Sequence, residues 1–435
     1  MPSPARSFWL RRDILAVLLL AALVRAGLLF AWHDRLQQDP DAYRLFAETL
    51  VETGTYAPGY TLGTVPEPSA HRPPLYPLLL TLCLRSPAGF VPSVAVLHWM
   101  LGIATVVLII GLARRIPKIS PAFTGLLVAF DPILLNQSVL VMTETLAAFF
   151  AALAVVLLTA AHRQPSVLSS AVAGAALGLA ALCRPTFLIL LAAAGLILIL
   201  LVPAKLRLRV GAAFFLAGLL VLTPWIVRNA RQLGKPIATT THGGYTLHLA
   251  NNPAFYDYLQ HGAWGTVWQL PPGVEPGHYL NDLLREQNRL PAAGAPQREL
   301  VIDQAHYDAA VELIRREPAM FLYASLVRVG RFWQLVPHRT SPEEGIFATA
   351  MRCVTGVWYL AEFLLAAIGL WRVRRSLLDS PWIWSLLLVA SFMLPHTIYW
   401  TNMRMRAPLM PLVALAAAAG AQPLRRPRLH SQPEA

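Results

Sequence analysis

Charge is scarce in this 435-residue chain. Asp, Glu, Lys and Arg together make up 14% of it, against about 25% in a water-soluble domain. That shortage, beside a hydrophobic content of 56%, excludes an ordinary soluble globular protein. Cysteine is scarce too. Cys83, Cys183 and Cys353 lie in or beside apolar segments without ligand spacing, which excludes a disulfide framework and a zinc site. No internal repeat is visible. The first apolar run lacks a small-residue cleavage site, so it reads as a membrane anchor and not as a signal peptide. The apolar runs are continuous and do not alternate with polar residues, which excludes a transmembrane β-barrel. Acidic residues number 23 against 36 basic ones, a net charge of +13. In a membrane chain that surplus reflects Lys and Arg in cytoplasmic loops, so no nucleic-acid partner is expected.

What the chain has instead is apolar sequence along nearly its whole length. This predicts an all-α polytopic membrane protein. Spans are expected at about 14–32, 91–112, 122–140, 143–161, 167–182, 186–202, 210–227, 348–371, 381–400 and 407–421, ten in all. The run 75–84 is too short to span and reads as partly inserted. The run 319–336 carries Arg328 and Arg331 and is expected to lie along the interface. Sixteen of the 36 Lys and Arg fall in short segments on one side, such as Arg114-Arg115, Lys205 to Arg209, Arg372 to Arg375 and the tail Arg425 to Arg428. That bias puts both termini in the cytoplasm. Three parts follow. Residues 1–228 form an N-terminal transmembrane module whose first exterior loop, 33–77, bears short helices. Residues 229–345 form a small mixed exterior domain with an amphipathic helix at about 304–316. Residues 346–435 form a C-terminal module with a basic tail.

The loop from Asp39 to Pro77 carries the densest chemistry. Asp39 and Asp41 stand two apart at the membrane edge. A carboxylate there can act as a general base or hold a divalent cation, and Asp41 would equally suit the N-cap of a helix beginning at Ala42. Arg72 precedes Pro73-Pro74. The prolines fix an extended backbone, and an arginine on it can grip a phosphate through paired donors or snorkel to the interface. His71 stands beside it. Glu144 opens a span, where it serves either function or the helix N-terminus. Asp131 lies deeper in an apolar run. Arg184, also before proline, and Arg404 and Arg406 lie on the same side as Asp39 and Arg72. Arginines gathered on one membrane face suit a lipid phosphate, or simply anchor among headgroups. In the run 239–253, His242, Asn251 and Asn252 can bind a sugar or cap turns around Gly243-Gly244 and Pro253. Trp264, Trp268, Tyr256 and Tyr258 can stack on sugars or form a small core.

Four landmarks together carry a family resemblance. They are Asp39-Pro40-Asp41 with Tyr43 and Ala47; Arg72 to Pro77; Pro224 to Asn229 with the glycine and asparagine run behind it; and Arg404, Arg406 and Pro408. In this order the chain resembles the GT-C class of polytopic glycosyltransferases, in the arm that includes protein O-mannosyltransferases and the aminoarabinose transferase of lipid A. The landmarks are spread over most of the chain. They are specific for the family and poorly specific for substrate.

The resemblance implies transfer of a sugar, with inversion, from a polyprenyl-phosphate carrier to an extracytoplasmic protein, lipid or glycan. It implies a bacterial inner (plasma) membrane location. Asp39, and less directly Asp41, would be the catalytic carboxylate. Arg72, Arg184, Arg404 and Arg406 would bind the donor phosphate. Tyr43, His71, Glu144, His242, Asn251 and Asn252 would contact substrate. An Asp-x-Asp pair can hold a cation, though the family resemblance does not require one. The sequence departs from the family pattern at Arg72, where the aminoarabinose arm has lysine, in its Asp-Pro-Asp spacing, and at His242, where relatives carry asparagine. The other classes of function are a flippase for a lipid-linked saccharide and a receptor or scaffold. A transporter should show repeats and broken helices at mid-membrane, and a scaffold leaves Asp39 and Arg72 without a joint role.

Overall fold

The computed structural model describes residues 4–61, 64–263, 266, 268, 270, 274–292, 297–339 and 343–422. Trp264 and the basic tail 425–428 lie outside these. Among the described residues every regular element is helical. The membrane module opens with α1 (Pro4–Trp9) and α2 (Arg12–Ala31). The first loop carries α3 (Tyr43–Thr53) and leads to α4 (Leu75–Leu84). Then come α5 (Phe90–Ala113), α6 (Pro121–Phe130), α7 (Pro132–Ser138), α8 (Glu144–Arg163), α9 (Val167–Cys183), α10 (Thr186–Leu201) and α11 (Arg207–Leu233). Segment 229–345 holds α12 (Gly243–Ala250), α13 (Pro253–His261), α14 (Pro276–Glu286), α15 (Arg298–Arg316) and α16 (Pro318–Phe332). The chain closes with α17 (Ile346–Val373), α18 (Trp382–Ile398) and α19 (Met410–Gly420).

Five of these stretches are long and apolar enough to cross a membrane: Arg12–Ala31, Phe90–Ala113, Glu144–Arg163, Ala204–Leu233 and Ile346–Ser376. The multi-pass architecture stands, and five of the ten expected spans coincide with helices of that length. The helices at the other expected positions are shorter. The expected span 122–140 is broken at Asp131, whose carboxylate accepts from Leu134 N at 2.8 Å and so caps α7, with Pro132 at its first position. The last expected span begins as a 3₁₀ turn, Met403–Leu409, before α19. In segment 229–345, expected to be a mixed domain, every regular element among the described residues is helical.

Helix α8 is the axis of the bundle. Two-thirds of its apolar window is buried, against 28–39% for the other long helices, and it packs on α5, α9, α10, α18 and α19. Its N-terminus therefore delivers Glu144 to the protein interior, where the residue is 2% exposed. Helices α9 and α11 meet backbone to backbone. A Cβ on Gly174 would fall 2.0 Å from the Phe214 carbonyl oxygen, the close approach that small residues permit between membrane helices.

Helix α16 covers most of the run expected to lie along the interface. Arg328 and Arg331 are buried and point inward. Arg328 donates to the carbonyls of Thr397 and Ala250, both at 2.8 Å, and Arg331 to Tyr258 Oη at 3.1 Å. The opposite face, with Leu322 and Leu326, is exposed.

Candidate active site

The Asp39 and Asp41 side chains diverge. Asp39 Oδ2 accepts from Leu45 N at 2.9 Å and so satisfies the first turn of α3. The helix is capped by Asp39, not by Asp41. Burial raises the Asp39 carboxyl above the usual carboxylate range, opposed by the Leu45 amide. Between the two aspartates and the helix, Ala42 takes a left-handed conformation, φ 60°. A non-glycine residue there costs energy and persists only where its surroundings impose it. The turn leaves Asp41 facing a cavity of about 570 Å³, which Asp39 does not line.

The Arg72 segment is fixed by its backbone. Tyr56 Oη donates to the carbonyls of Arg72 (3.0 Å) and Pro73 (3.2 Å). Thr240 Oγ1 donates to the His71 carbonyl, and Thr241 N to Ala70 O at 3.0 Å. Glu299 of α15 accepts from Ala70 N at 2.9 Å and from the Thr241 hydroxyl. The run Pro224 to Asn229 has the same task. Arg228 donates to Ser69 O (2.7 Å) and Tyr56 O (3.0 Å), and Trp225 Nε1 to Thr239 O (2.8 Å). Exterior helices and first loop are thus stitched together around one arginine.

Three guanidiniums meet two carboxylates in the cavity. Asp41 stands 3.5 Å from Arg72 Nη2 and 3.3 Å from Arg404 Nη2. Glu144 lies 3.4 Å from Arg184 Nη1 and 3.7 Å from Arg404 Nε. The contributing elements all end at one side of the bundle: the loop before α3, the start of α8, the end of α9 and the turn before α19. These contacts are long beside the 2.7–2.9 Å of a tight charge-assisted bond. Arg72 Nε, Arg184 Nη1 and Arg404 Nε are buried without a hydrogen bond. The group carries one positive charge in excess and unspent donors, the condition for holding an anion. The Arg72 guanidinium also lies over the Tyr43 ring, 5.3 Å from its centre.

His71 and His242 line the same cavity with their rings 4.2 Å apart. Burial, then the Arg72 charge, brings His71 down to about 3. Burial and His71 hold His242 well below its usual value. Both are neutral and do not compete as cations. His242 stacks on Tyr245 at 4.9 Å. Tyr245, Tyr307, Tyr399, Trp400 and His396 also line the space and were not singled out from sequence. Isolated aromatics in loops and at helix ends carry no pattern that separates a cavity wall from a core.

Three sequence-chosen residues lie elsewhere. Asn251 is fully buried, donates to Leu247 O and Ile398 O, and accepts from Tyr256 Oη. Asn252 caps α13 through Phe255 N. Their polar atoms are consumed by the fold, so neither is offered to a substrate. Arg406 is fully buried away from the cavity, with Nη1 donating to Phe332 O (3.0 Å) and Gln334 O (2.6 Å). Tyr256, Tyr258 and Trp268 pack in a small exterior cluster with Phe255 and Trp400.

Residues 71–227 match the family of dolichyl-phosphate-mannose-protein mannosyltransferases. The whole chain superposes on the oligosaccharyltransferase of Archaeoglobus fulgidus in its apo form with a TM-score of 0.52, at 15% identity, over 93% of this chain and 50% of that one. The chain has the GT-C architecture. The same archaeal enzyme tethered to an acceptor peptide gives 0.50 at 12% identity, over 95% and 50%. ArnT of Cupriavidus metallidurans bound to undecaprenyl phosphate gives 0.41 at 15% identity, over 93% and 77%. At these identities the likeness is one of fold, and this chain spans about half the length of the oligosaccharyltransferase it matches. No curated protein matches it in sequence. The mannosyltransferase-family match contains Arg72, Glu144 and Arg184 and excludes Asp41 and Arg404.

Proposed function

We propose that this protein is an integral-membrane glycosyltransferase that moves a sugar from a polyprenyl-phosphate carrier to an extracytoplasmic acceptor, with inversion. The observation that carries the reading is Asp41 held between Arg72 and Arg404 in a cavity whose arginines keep unspent donors. The match of residues 71–227 to a mannosyltransferase family supports it.

In this reading an acceptor hydroxyl or amine enters beside Asp41. Its nucleophilic atom bonds to the anomeric carbon from the face opposite the phosphate. The carbon–oxygen bond to phosphate breaks, and its electron pair stays on the lipid phosphate. Asp41 takes the acceptor's proton, and Arg72, Arg184 and Arg404 stabilise the charge on the departing oxygen. Asp39 acts by shaping the turn that presents Asp41. Tyr43, His71 and His242 bound the sugar space. The donor set drops Arg406, and the substrate set drops Asn251 and Asn252.

A divalent cation at Asp39 and Asp41 does not fit. Both Asp41 oxygens face guanidiniums, and Asp39 is engaged by a helix amide. Among the described residues no three His, Cys, Asp or Glu cluster. We place the site on the extracytoplasmic face of a bacterial inner membrane. Module 1–228 supplies Asp41, Arg72, Glu144 and Arg184, segment 229–345 braces them, and module 346–435 supplies Arg404.

Purified protein incubated with radiolabelled polyprenyl-phosphate sugars and a membrane extract tests this. Label should pass from carrier to acceptor, and Asp41→Asn should stop it. Saturable binding of the lipid-linked sugar with no turnover of any donor would replace the transferase by a flippase.

A further inference from the structure

The cavity has a second polar wall, of which the reaction above uses only Arg184. His396, in the last turn of α18, lines it and is only 8% exposed. Neither of its ring nitrogens has a hydrogen bond. The Trp400 main chain lies beside the ring but outside hydrogen-bond geometry. Phe332 packs on the ring at 5.5 Å between centres and holds its plane. Buried imidazole nitrogens left without partners are costly and uncommon in a folded protein. Their natural explanation is a partner that arrives with a ligand.

Two neighbours share this condition. Thr186, at the start of α10, lines the same cavity, and its hydroxyl has no hydrogen bond. Arg184 lies close enough for its charge to act on His396, and its Nη1 faces Glu144 at 3.4 Å without a hydrogen bond. Guanidinium, hydroxyl and imidazole are all able to donate. Pro185, Ile189 and Pro395 line the cavity beside them and give this wall an apolar border. Three groups able to donate beside an apolar border suit the phosphate of a lipid ester, whose non-bridging oxygens only accept.

We propose that His396, with Thr186, binds the phosphate of the lipid carrier alongside Arg184. The imidazole N–H and the threonine hydroxyl each donate to a non-bridging phosphate oxygen. The inference rests on the reading of a lipid-phosphate donor and adds His396, which lies outside the family match and the sequence motifs, and Thr186, which lies inside that match but in no motif.

The test uses the full chain in nanodiscs and a fluorescent polyprenyl phosphate, displaced by unlabelled polyprenyl phosphate, by polyprenol or by inorganic phosphate. Wild-type protein should bind polyprenyl phosphate at least about tenfold more tightly than polyprenol, the worth of a hydrogen bond to a charged group. His396→Phe should weaken polyprenyl phosphate about tenfold and leave polyprenol unchanged. His396→Gln, which keeps one donor, should recover part of the loss, and Thr186→Val should lose about threefold. Wild-type affinity for polyprenyl phosphate in His396→Phe would overturn the proposal and leave the transferase reading intact. If the Phe variant does not reach the membrane, unchanged binding in both His396→Gln and Thr186→Val overturns it. Equal wild-type affinity for polyprenyl phosphate and polyprenol would overturn the donor reading itself. Displacement by inorganic phosphate as effective as by the lipid would overturn the lipid assignment.

Discussion

Arg404 and Arg406 stand two residues apart in one motif, yet they belong to different regions of the molecule. Arg404 faces the cavity, reaches Asp41 and Glu144 by long contacts, and keeps a donor free. Arg406 faces the interior, where two carbonyls hold one of its nitrogens and the Tyr359 ring lies 4.3 Å below its guanidinium. In this interior region Nε and Nη2 of Arg406 are also buried without a hydrogen bond, so what separates the two regions is the cavity and its carboxylates, not the number of unpaired donors. Tyr359 Oη donates to Asp131 at 3.1 Å and accepts from Ile133 N at 3.0 Å, and Arg25 of α2 donates to Val128 O at 3.2 Å. The cavity holds charge against charge. The interior holds charge against backbone carbonyls at short range. A guanidinium bound to carbonyls is part of the fold, whereas one facing a carboxylate across 3.3–3.7 Å in a cavity can exchange partners with a ligand.

The sharpest way to break this comparison is the aspartate pair. Asp41→Asn should lower the turnover rate about 10²–10⁴-fold, the range for a lost proton acceptor, with thermal unfolding unchanged. Asp39→Asn should stay near wild type, because an asparagine oxygen can still accept from Leu45 N. Rates measured on both variants at equal abundance check this, and the reverse ranking would return the catalytic role to Asp39.

The arginine pair should separate next. Arg406→Met leaves buried carbonyls unpartnered and should cost about 2 kcal/mol or more of stability, while the surviving folded protein keeps its donor KM. Arg404→Met should do the opposite, raising donor KM at least about tenfold with little change in melting temperature. Melting curves paired with donor titrations read both. A smaller effect is expected at Arg228, which touches no substrate. Arg228→Ala releases Ser69 O and Tyr56 O and should raise donor KM several-fold through a looser Arg72 segment, as donor titration would show.

The regular elements were readable where one signal dominates. Continuous apolar runs placed the helices. The break at Asp131 was readable in principle, since Asp-Pro is a helix start, but the hydropathy on either side hides it. In the site, Asp41, Arg72, Glu144, Arg184 and Arg404 stood out because an ionisable group at a membrane edge is rare enough to notice. Arg406 and Asn251 serve the fold instead: they satisfy carbonyls of distant segments, 72 to 147 residues away, and such pairing has no local signature, while Asn252 is the cap of α13. His396 and Tyr245 failed in the other direction, because a single imidazole or phenol ring inside an apolar or turn-rich stretch resembles ordinary packing.

The smallest predicted effect concerns acid. In the folded protein His71 is brought down to about 3 by burial and then by Arg72, against about 6.5 in an unfolded chain. Between those values only the unfolded chain takes up the proton. The stability that the neutral ring contributes is therefore complete above pH 6.5 and drains as pH falls toward 3. His71→Asn should lose less melting temperature than wild type between pH 7 and pH 5, and parallel pH profiles would show that His71 is not held neutral.

The central claim is that the unspent arginine donors of the cavity receive a lipid phosphate. Single-particle imaging of the protein reconstituted with polyprenyl phosphate tests it most directly. Phosphate density is expected within hydrogen-bond reach of Arg184 and at least one of Arg72 and Arg404, with the surroundings of Arg406 unchanged. Phosphate density at Arg406, or a cavity that stays empty at saturating lipid, would contradict it.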